Sequence, residues 1–189
     1  MDISYNIASD VRPADNTNPG VQETRYVEAI KLYSDALTRL ARGYESQPDR
    51  RQDLLQDIHV ALWRSFANFD GRCSLRTWVY RVAHIVATKH IVANRRVRVN
   101  EMVSLDEVPE PQDQHSVGDV SEKSDSLQKL FELIERLKPM DRQVILLYLE
   151  DFSAEEIGDV IGLSARNIAT KIHRIKKLLT FMFHENSHE

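Results

Sequence analysis

The sequence predicts an all-α protein: two small helical modules joined by a flexible acidic linker, the C-terminal module a helix-turn-helix. Three observations predict it. Leu, Ile, Val and Ala dominate a chain of 189 residues that holds only six Gly and six Pro, a composition suited to helices. Apolar residues recur with the 3.6-residue helical period in successive stretches. Between Glu101 and Asp125, eight acids face one base, Lys123, and Pro109, Pro111 and Gly118 interrupt the run. Such a segment cannot bury enough apolar surface to fold, so it parts the chain in two.

Residues 1–21 combine Pro, Asn and Asp with little periodicity and are expected to be a mobile tail. From Gln22 to Tyr44 the residues Tyr26, Ile30, Tyr33, Leu37 and Leu40 mark a first helix, ended by Gly43 and the Ser46-Gln47-Pro48-Asp49 breaker. A second helix carries Leu54, Leu55, Ile58, Ala61, Leu62 and Phe66 as its buried stripe, and Phe69-Asp70-Gly71 signals a turn. A third helix runs from near Leu75 to about Asn94. Leu75, Val79, Val82 and Val86 form its expected apolar row, and Thr77, Arg81, His84, Thr88 and Arg95 a polar, basic row.

The charge along this part is uneven. The whole chain has a formal charge of −4, yet from Gly71 to Asn100 there is no acid, while Arg72, Arg76, Arg81, Lys89, Arg95, Arg96 and Arg98 stand there. The first module, 22–96, therefore presents a cationic surface. The linker, 97–126, holds the excess acid; its span from Val97 to Ser124 could reach roughly 90 Å fully extended. The two modules are thus expected to be tethered and not fused.

The second module, 127–183, opens with a helix marked by Leu127, Leu130, Phe131, Ile134 and Leu137 and closed by Lys138-Pro139. Asp141 is expected to cap the next helix, with Val144, Ile145 and Tyr148 inward. Ser153-Ala154-Glu155-Glu156 is a capping box opening a short helix with Ile157, Val160 and Ile161. Gly162-Leu163-Ser164 makes a tight turn whose Ser164 caps a last helix. In that helix Ile168, Ile172, Ile175 and Leu179 share one face, leaving Arg166, Asn167, Thr170, Lys171 and Arg174 outward, with no acid between Ser164 and Phe183. Scaffold helix, turn and capped second helix are the parts of a DNA-binding helix-turn-helix. Arg166 and Asn167 suit base edges in the major groove, and Lys171 and Arg174 suit phosphates. A solvated basic helix in an ordinary bundle is the competing reading. Residues 184–189 form a tail.

Two stretches carry a family resemblance. "DLLQDIHVALWRSFANFDGRCSLRTWVYRVA" resembles the second conserved domain of bacterial sigma factors of the extracytoplasmic-function group, within the sigma-70 family. "LKPMDRQVILLYLEDFSAEEIGDVIGLSARNIATKIHRIKKLL" resembles the fourth. They stand in the family's order, with a linker where larger members have a third domain. The resemblance implies a factor that binds core RNA polymerase and directs promoter-specific initiation. On it, Asp53, Gln56 and Asp57 would dock on the coiled coil of the polymerase's largest subunit. Phe69, Arg72, Ser74, Arg76, Thr77, Arg81, His84 and Thr88 would hold the −10 element as an opened single strand, where a cationic track is needed. Ser164, Arg166, Asn167, Thr170, Lys171 and Arg174 would read the −35 duplex. The polymerase flap, promoter DNA and an anti-sigma factor are the other implied partners. The linker matches the segment that threads the RNA-exit path, and the isolated chain is expected to bind promoter duplex weakly.

Two positions depart from the family pattern: Ile85 replaces a frequent Asn and Lys89 a common Asp, which bears on the −10 preference. Trp78 and Tyr80 border the apolar row, and Trp78 is assigned to the core. No enzymatic activity and no cofactor or metal is expected. His184-Glu185-Asn186-Ser187-His188 formally fits the HExxH zinc pattern, but a further ligand would have to follow, and only Glu189 does. Cys73 is the only cysteine, which excludes an internal disulfide. It is assigned as a small loop residue in preference to a low-pKa redox thiol. With no apolar run near the ~20 residues of a membrane span and an acidic, polar N-terminus, a cytoplasmic location is expected. The alternative function is a stand-alone helix-turn-helix regulator whose N-terminal module senses a signal or dimerises.

Overall fold

The computed structural model describes residues 19–94 and 122–185. Among the described residues there are seven α-helices, one 3-10 turn and no strand. Helices α1 (Pro19–Tyr44), α2 (Pro48–Ser65) and α3 (Leu75–Asn94) form the first module, with the 3-10 turn Phe66–Asn68 after α2. Helices α4 (Glu122–Glu135), α5 (Pro139–Leu149), α6 (Ala154–Ile161) and α7 (Ala165–Glu185) form the second. Of the tail expected at 1–21, residues 1–18 lie outside the described residues and 19–21 belong to α1; of the acidic linker expected at 97–126, residues 97–121 lie outside them. Helix α4 begins at Glu122, five residues before the apolar periodicity, so a piece of the expected linker is helical.

Each helix end has a chemical cause. Proline at the first position of α2 and of α5 fits a helix start, where the missing N–H would have no intrahelical partner. Asp141 is not a cap: Lys138 holds that position, and Asp141 lies in the first turn, buried. The capping box of α6 forms in full, Ser153 Oγ accepting from the Glu156 N–H at 3.2 Å and Glu156 from the Ser153 N–H at 2.8 Å. Gly162 ends α6 with φ 84°, the left-handed conformation that glycine adopts without a Cβ clash. Gly158 is needed for a different reason: a Cβ there would stand 2.5 Å from the Leu163 carbonyl oxygen, so the turn can fold back only over glycine.

Leu54, Ile58, Leu62 and Phe66 have no exposed surface and meet Leu37, Leu40, Ala41 and Tyr44 of α1. Burial of each large side chain contributes about 1.5–3 kcal/mol before chain entropy is subtracted. The α3 row departs from expectation. Val79 is buried, but Leu75, Val82 and Val86 are half-buried, and the covered positions are Val79, Tyr80, Ala83, His84, Ala87 and Ile91. The buried arc is shifted because α3 is covered from two directions, by α1 and α2 on one side and by α5 and α6 on the other. The modules expected to be merely tethered pack against each other. Gly43 marks one close approach, where a Cβ would lie 2.4 Å from Leu146 Cδ2.

Candidate polymerase and nucleic-acid interfaces

Asp53, Gln56 and Asp57 are all exposed on α2, opposite the Leu54–Ile58–Leu62 stripe. Continuing the same face by helical steps brings Val60, 42% exposed, and Trp63, 48% exposed. A half-exposed tryptophan beside acids is a face built to be covered. Sequence reasoning passed over Val60 and Trp63; the available signal was two large apolar residues off the helix's buried stripe.

The loop before α3 is held from several sides. Arg25 Nη1 donates to the Phe69 carbonyl at 2.7 Å, and its guanidinium lies over the Phe69 ring, 5.3 Å from the centroid. Phe69 is half-buried against Phe66 and Trp78, with centroids 6.1 and 5.2 Å away. The Trp78 indole N–H donates to Ser65 Oγ at 3.0 Å, so Trp78 is partly a core residue, as assigned. Asp70 accepts from the Arg72 backbone N–H at 3.1 Å and pairs with its side chain at 2.7 Å, while Arg72 stays 83% exposed. Ser74 Oγ accepts from the Thr77 N–H at 3.0 Å, capping α3. Burial pushes the Cys73 thiol up, with Arg81 only partly opposing, so the thiolate a redox sensor needs is disfavoured.

Four of the expected −10 residues are placed differently from expectation. His84 is fully buried, with Nδ1 2.8 Å from the Tyr44 hydroxyl, and cannot touch DNA in this conformation. Burial lowers its imidazole to about 3. Arg76 is half-buried against the second module: it donates to the Glu150 carbonyl, stands 3.9 Å from the centroid of Phe152 and lies 3.9 Å from Glu156. Arg81 donates to the Asp159 carbonyl. Thr88 is half-buried on the side of α3 that faces the Tyr44 hydroxyl.

On the second module, Ile168, Ile175 and Leu179 are buried and Ile172 half-buried, as the spacing requires. Ser164, Arg166, Asn167, Thr170 and Arg174 are exposed. Ser164 Oγ accepts weakly from the Asn167 N–H at 3.4 Å, and Thr170 Oγ1 donates back to the Arg166 carbonyl at 3.0 Å. Lys171 differs: its Nζ sits 2.7 Å from Asp141 Oδ1 and it is 30% exposed, so an internal carboxylate holds it.

Among the described residues no group of three or more His, Cys, Asp or Glu could hold a metal ion. The side chains of the His184–His188 segment lie outside the described residues. Among the described residues no helix is long and apolar enough to cross a membrane.

Comparison with known proteins agrees with this layout. Residues 29–97 match the family described as Sigma-70 region 2, and residues 127–179 the family described as Sigma-70, region 4. The chain is 30% identical over 154 residues to the RNA polymerase sigma-E factor of Streptomyces avermitilis, covering 79% of each. It is 23% identical over 134 residues to the ECF RNA polymerase sigma factor SigX of Bacillus subtilis, covering 69% of each. Its fold resembles that of CnrH solved with the cytosolic domain of CnrY, with a TM-score of 0.62 at 18% identity over 88% of this chain and 97% of that one. It also resembles RpoE of Bartonella quintana solved with the anti-sigma factor NepR, with a TM-score of 0.63 at 19% identity over 84% and 96%.

Proposed function

The chain belongs to the extracytoplasmic-function group of sigma-70 family RNA polymerase sigma factors, and from that premise we propose how its surfaces divide the work of initiation. It binds core polymerase and directs promoter-specific transcription initiation, opening the −10 element and recognising the −35 duplex. The covalent chemistry of transcription belongs to the polymerase. The chain acts in the cytoplasm.

The acidic and apolar α2 face, Asp53, Gln56, Asp57, Val60 and Trp63, docks on the largest subunit. Arg72, Ser74 and Thr77 at the head of α3, with Phe69 beneath them, receive the opened strand, and Arg76, Arg81 and Thr88 extend that track once the second module moves away. His84 is withdrawn from this set, because a buried neutral imidazole offers DNA nothing. Ser164, Arg166, Asn167, Thr170 and Arg174 read the −35 duplex. Lys171 joins them only by giving up Asp141. Regulation by an anti-sigma factor follows the example of the relative solved with one.

The observation carrying this reading is the exposed face of α7, which ends a capped helix-turn-helix and leaves Arg166, Asn167, Thr170 and Arg174 exposed in its first three turns. Run-off transcription with core enzyme tests it: initiation at a defined start must depend on this chain. Arg166→Ala weakens upstream duplex binding by about 1–3 kcal/mol and leaves single-strand affinity intact. Arg72→Ala does the reverse. Equal losses from both variants in both assays overturn the division, and transcription by core enzyme alone overturns the function.

A further inference from the structure

The loop that leads into α3 is anchored by a residue far from it in sequence. Arg25, half-buried on α1, donates from Nη1 to the Phe69 carbonyl at 2.7 Å, 44 positions away. A loop carbonyl has no helical partner, and a guanidinium supplies it with a charge-assisted bond, the stronger kind. The same guanidinium lies over the Phe69 ring, so one side chain fixes both the peptide plane and the ring of that residue. The Phe69 ring also meets Trp78, whose indole N–H is tied to Ser65 Oγ, and that hydroxyl donates to the Leu62 carbonyl at 2.8 Å. Beyond Phe69 the loop has little to lean on: a Cβ at Gly71 would meet nothing within 4 Å, and Arg72 projects into solvent. Support returns at Ser74, whose Oγ caps the Thr77 N–H. The aim of Arg72 and Ser74 is therefore set at the two ends of the loop, and the first end is held from α1. Arg25 is itself fixed, because the start of α1 is pinned to α2. Gln22 Nε2 donates to the Trp63 carbonyl at 2.7 Å, and the Tyr26 hydroxyl lies 3.0 Å from His59 Nδ1.

We infer that Arg25 is a positioning residue for −10 recognition: from α1 it holds the Phe69 peptide and ring in the one pose that presents Arg72 and Ser74 to the opened strand. The inference rests on the reading that this loop and the head of α3 receive that strand. A binding site must be held to within about 0.5 Å by groups whose own positions are locked, and a loop freed at one end no longer meets that limit. The loss falls on discrimination more than on stability. Arg25 lies outside the buried Leu54–Ile58–Leu62–Phe66 core, so the module folds without it. A loop that samples several poses still attracts phosphate through Arg72, but it no longer prefers one base.

The test uses holoenzyme assembled from core polymerase and the full chain, transcribing a duplex promoter library randomised across the −10 and −35 elements. The parent shows a base preference at both. Arg25→Ala lowers the −10 preference at least about fivefold, the lower end of what one base position is worth, and leaves the −35 preference unchanged. Arg25→Lys, which keeps the charge and one donor, falls between the two. A role confined to stability moves both elements alike or neither, and either result overturns the inference. Equal −10 losses in Arg25→Ala and Arg25→Lys overturn it as well, because the lysine can still reach the Phe69 carbonyl. Should Arg25→Ala fail to assemble with polymerase, Arg25→Lys decides by the same comparison of the two elements. A parent holoenzyme with no −10 preference overturns the strand-site reading itself, and only that outcome does.

Discussion

Arg39 of α1 and Glu150 of the α5–α6 turn, 111 positions apart, form a two-pronged ion pair at 2.7 and 2.8 Å. The hydrogen bond to Glu150 is the main reason the Arg39 guanidinium is held more firmly protonated than usual. Arg39 is 56% exposed and Glu150 15%, so the pair lies near solvent and its worth is modest. Its geometry is the favourable one for arginine and carboxylate.

A double-mutant cycle with Arg39→Ala and Glu150→Ala should therefore give a coupling of about 0.5–1 kcal/mol at low salt, shrinking at high salt. Urea unfolding followed by tryptophan fluorescence reads it out, since Trp63 and Trp78 both lie in the first module. A coupling indistinguishable from zero at low salt would show that the two modules do not steady one another in solution.

His84 sets an acid limit on stability. Burial lowers its imidazole to about 3, while the unfolded chain titrates near the ordinary 6.5. Between those values the unfolded state binds a proton that the folded state refuses, so stability rises with pH across that window and is lost as pH falls below 6.5. From pH 7 to pH 5 the loss from this one group is on the order of 2 kcal/mol. Urea unfolding of the parent and of His84→Gln at both pH values checks it, and the variant should show a shallower pH dependence. The same slope in both would mean that His84 is hydrated in solution.

The helices were legible because each signal was local: the Ser153 to Glu156 capping box, Gly162 as a stop, and the Ile168–Ile172–Ile175–Leu179 stripe. The exposed basic residues of α7 followed from the same spacing. What could not be read were contacts between parts of the chain distant in sequence. His84 looked like one more polar residue on a basic row, but α5 and α6 and Tyr44 close over that row. Asp141 had the position of a cap, and Lys171 that of a phosphate contact; nothing local says that the two, 30 residues apart, belong to each other. Likewise the net charge of the α3 segment was evident, whereas its cover by Glu150 and Phe152 depended on how the second module docks.

The helix-turn-helix turn makes a sharp prediction at Gly158. A methyl group there meets the Leu163 carbonyl oxygen at 2.5 Å, and backbone cannot swing aside as a side chain can. Gly158→Ala, a substitution that stabilises an ordinary helix, should here destabilise the second module by about 2–3 kcal/mol, as overpacking of a tight site does. It should also weaken −35 duplex binding by tilting α7 against α6. Thermal unfolding and duplex titration measure the two effects, and an unchanged or raised Tm would mean that the turn relaxes freely.

On α2, Trp63 joins an apolar surface to the acids at 53 and 57, and its carbonyl accepts from Gln22 Nε2 at 2.7 Å, which ties the start of α1 to this edge without covering the ring. A side chain 48% exposed contributes little to the fold, so Trp63→Ala should leave Tm within about 1–2 °C, a shift of a few tenths of a kcal/mol. A tryptophan at the centre of a partner surface contributes far more there, typically 2 kcal/mol or above, which is about thirtyfold in affinity. Titration of core polymerase with the two proteins should show that loss, and Asp57→Arg should show a loss that depends on salt where that of Trp63→Ala does not. Retained polymerase affinity in Trp63→Ala would move the docking surface off this face of α2 and leave its exposed apolar residues without a role.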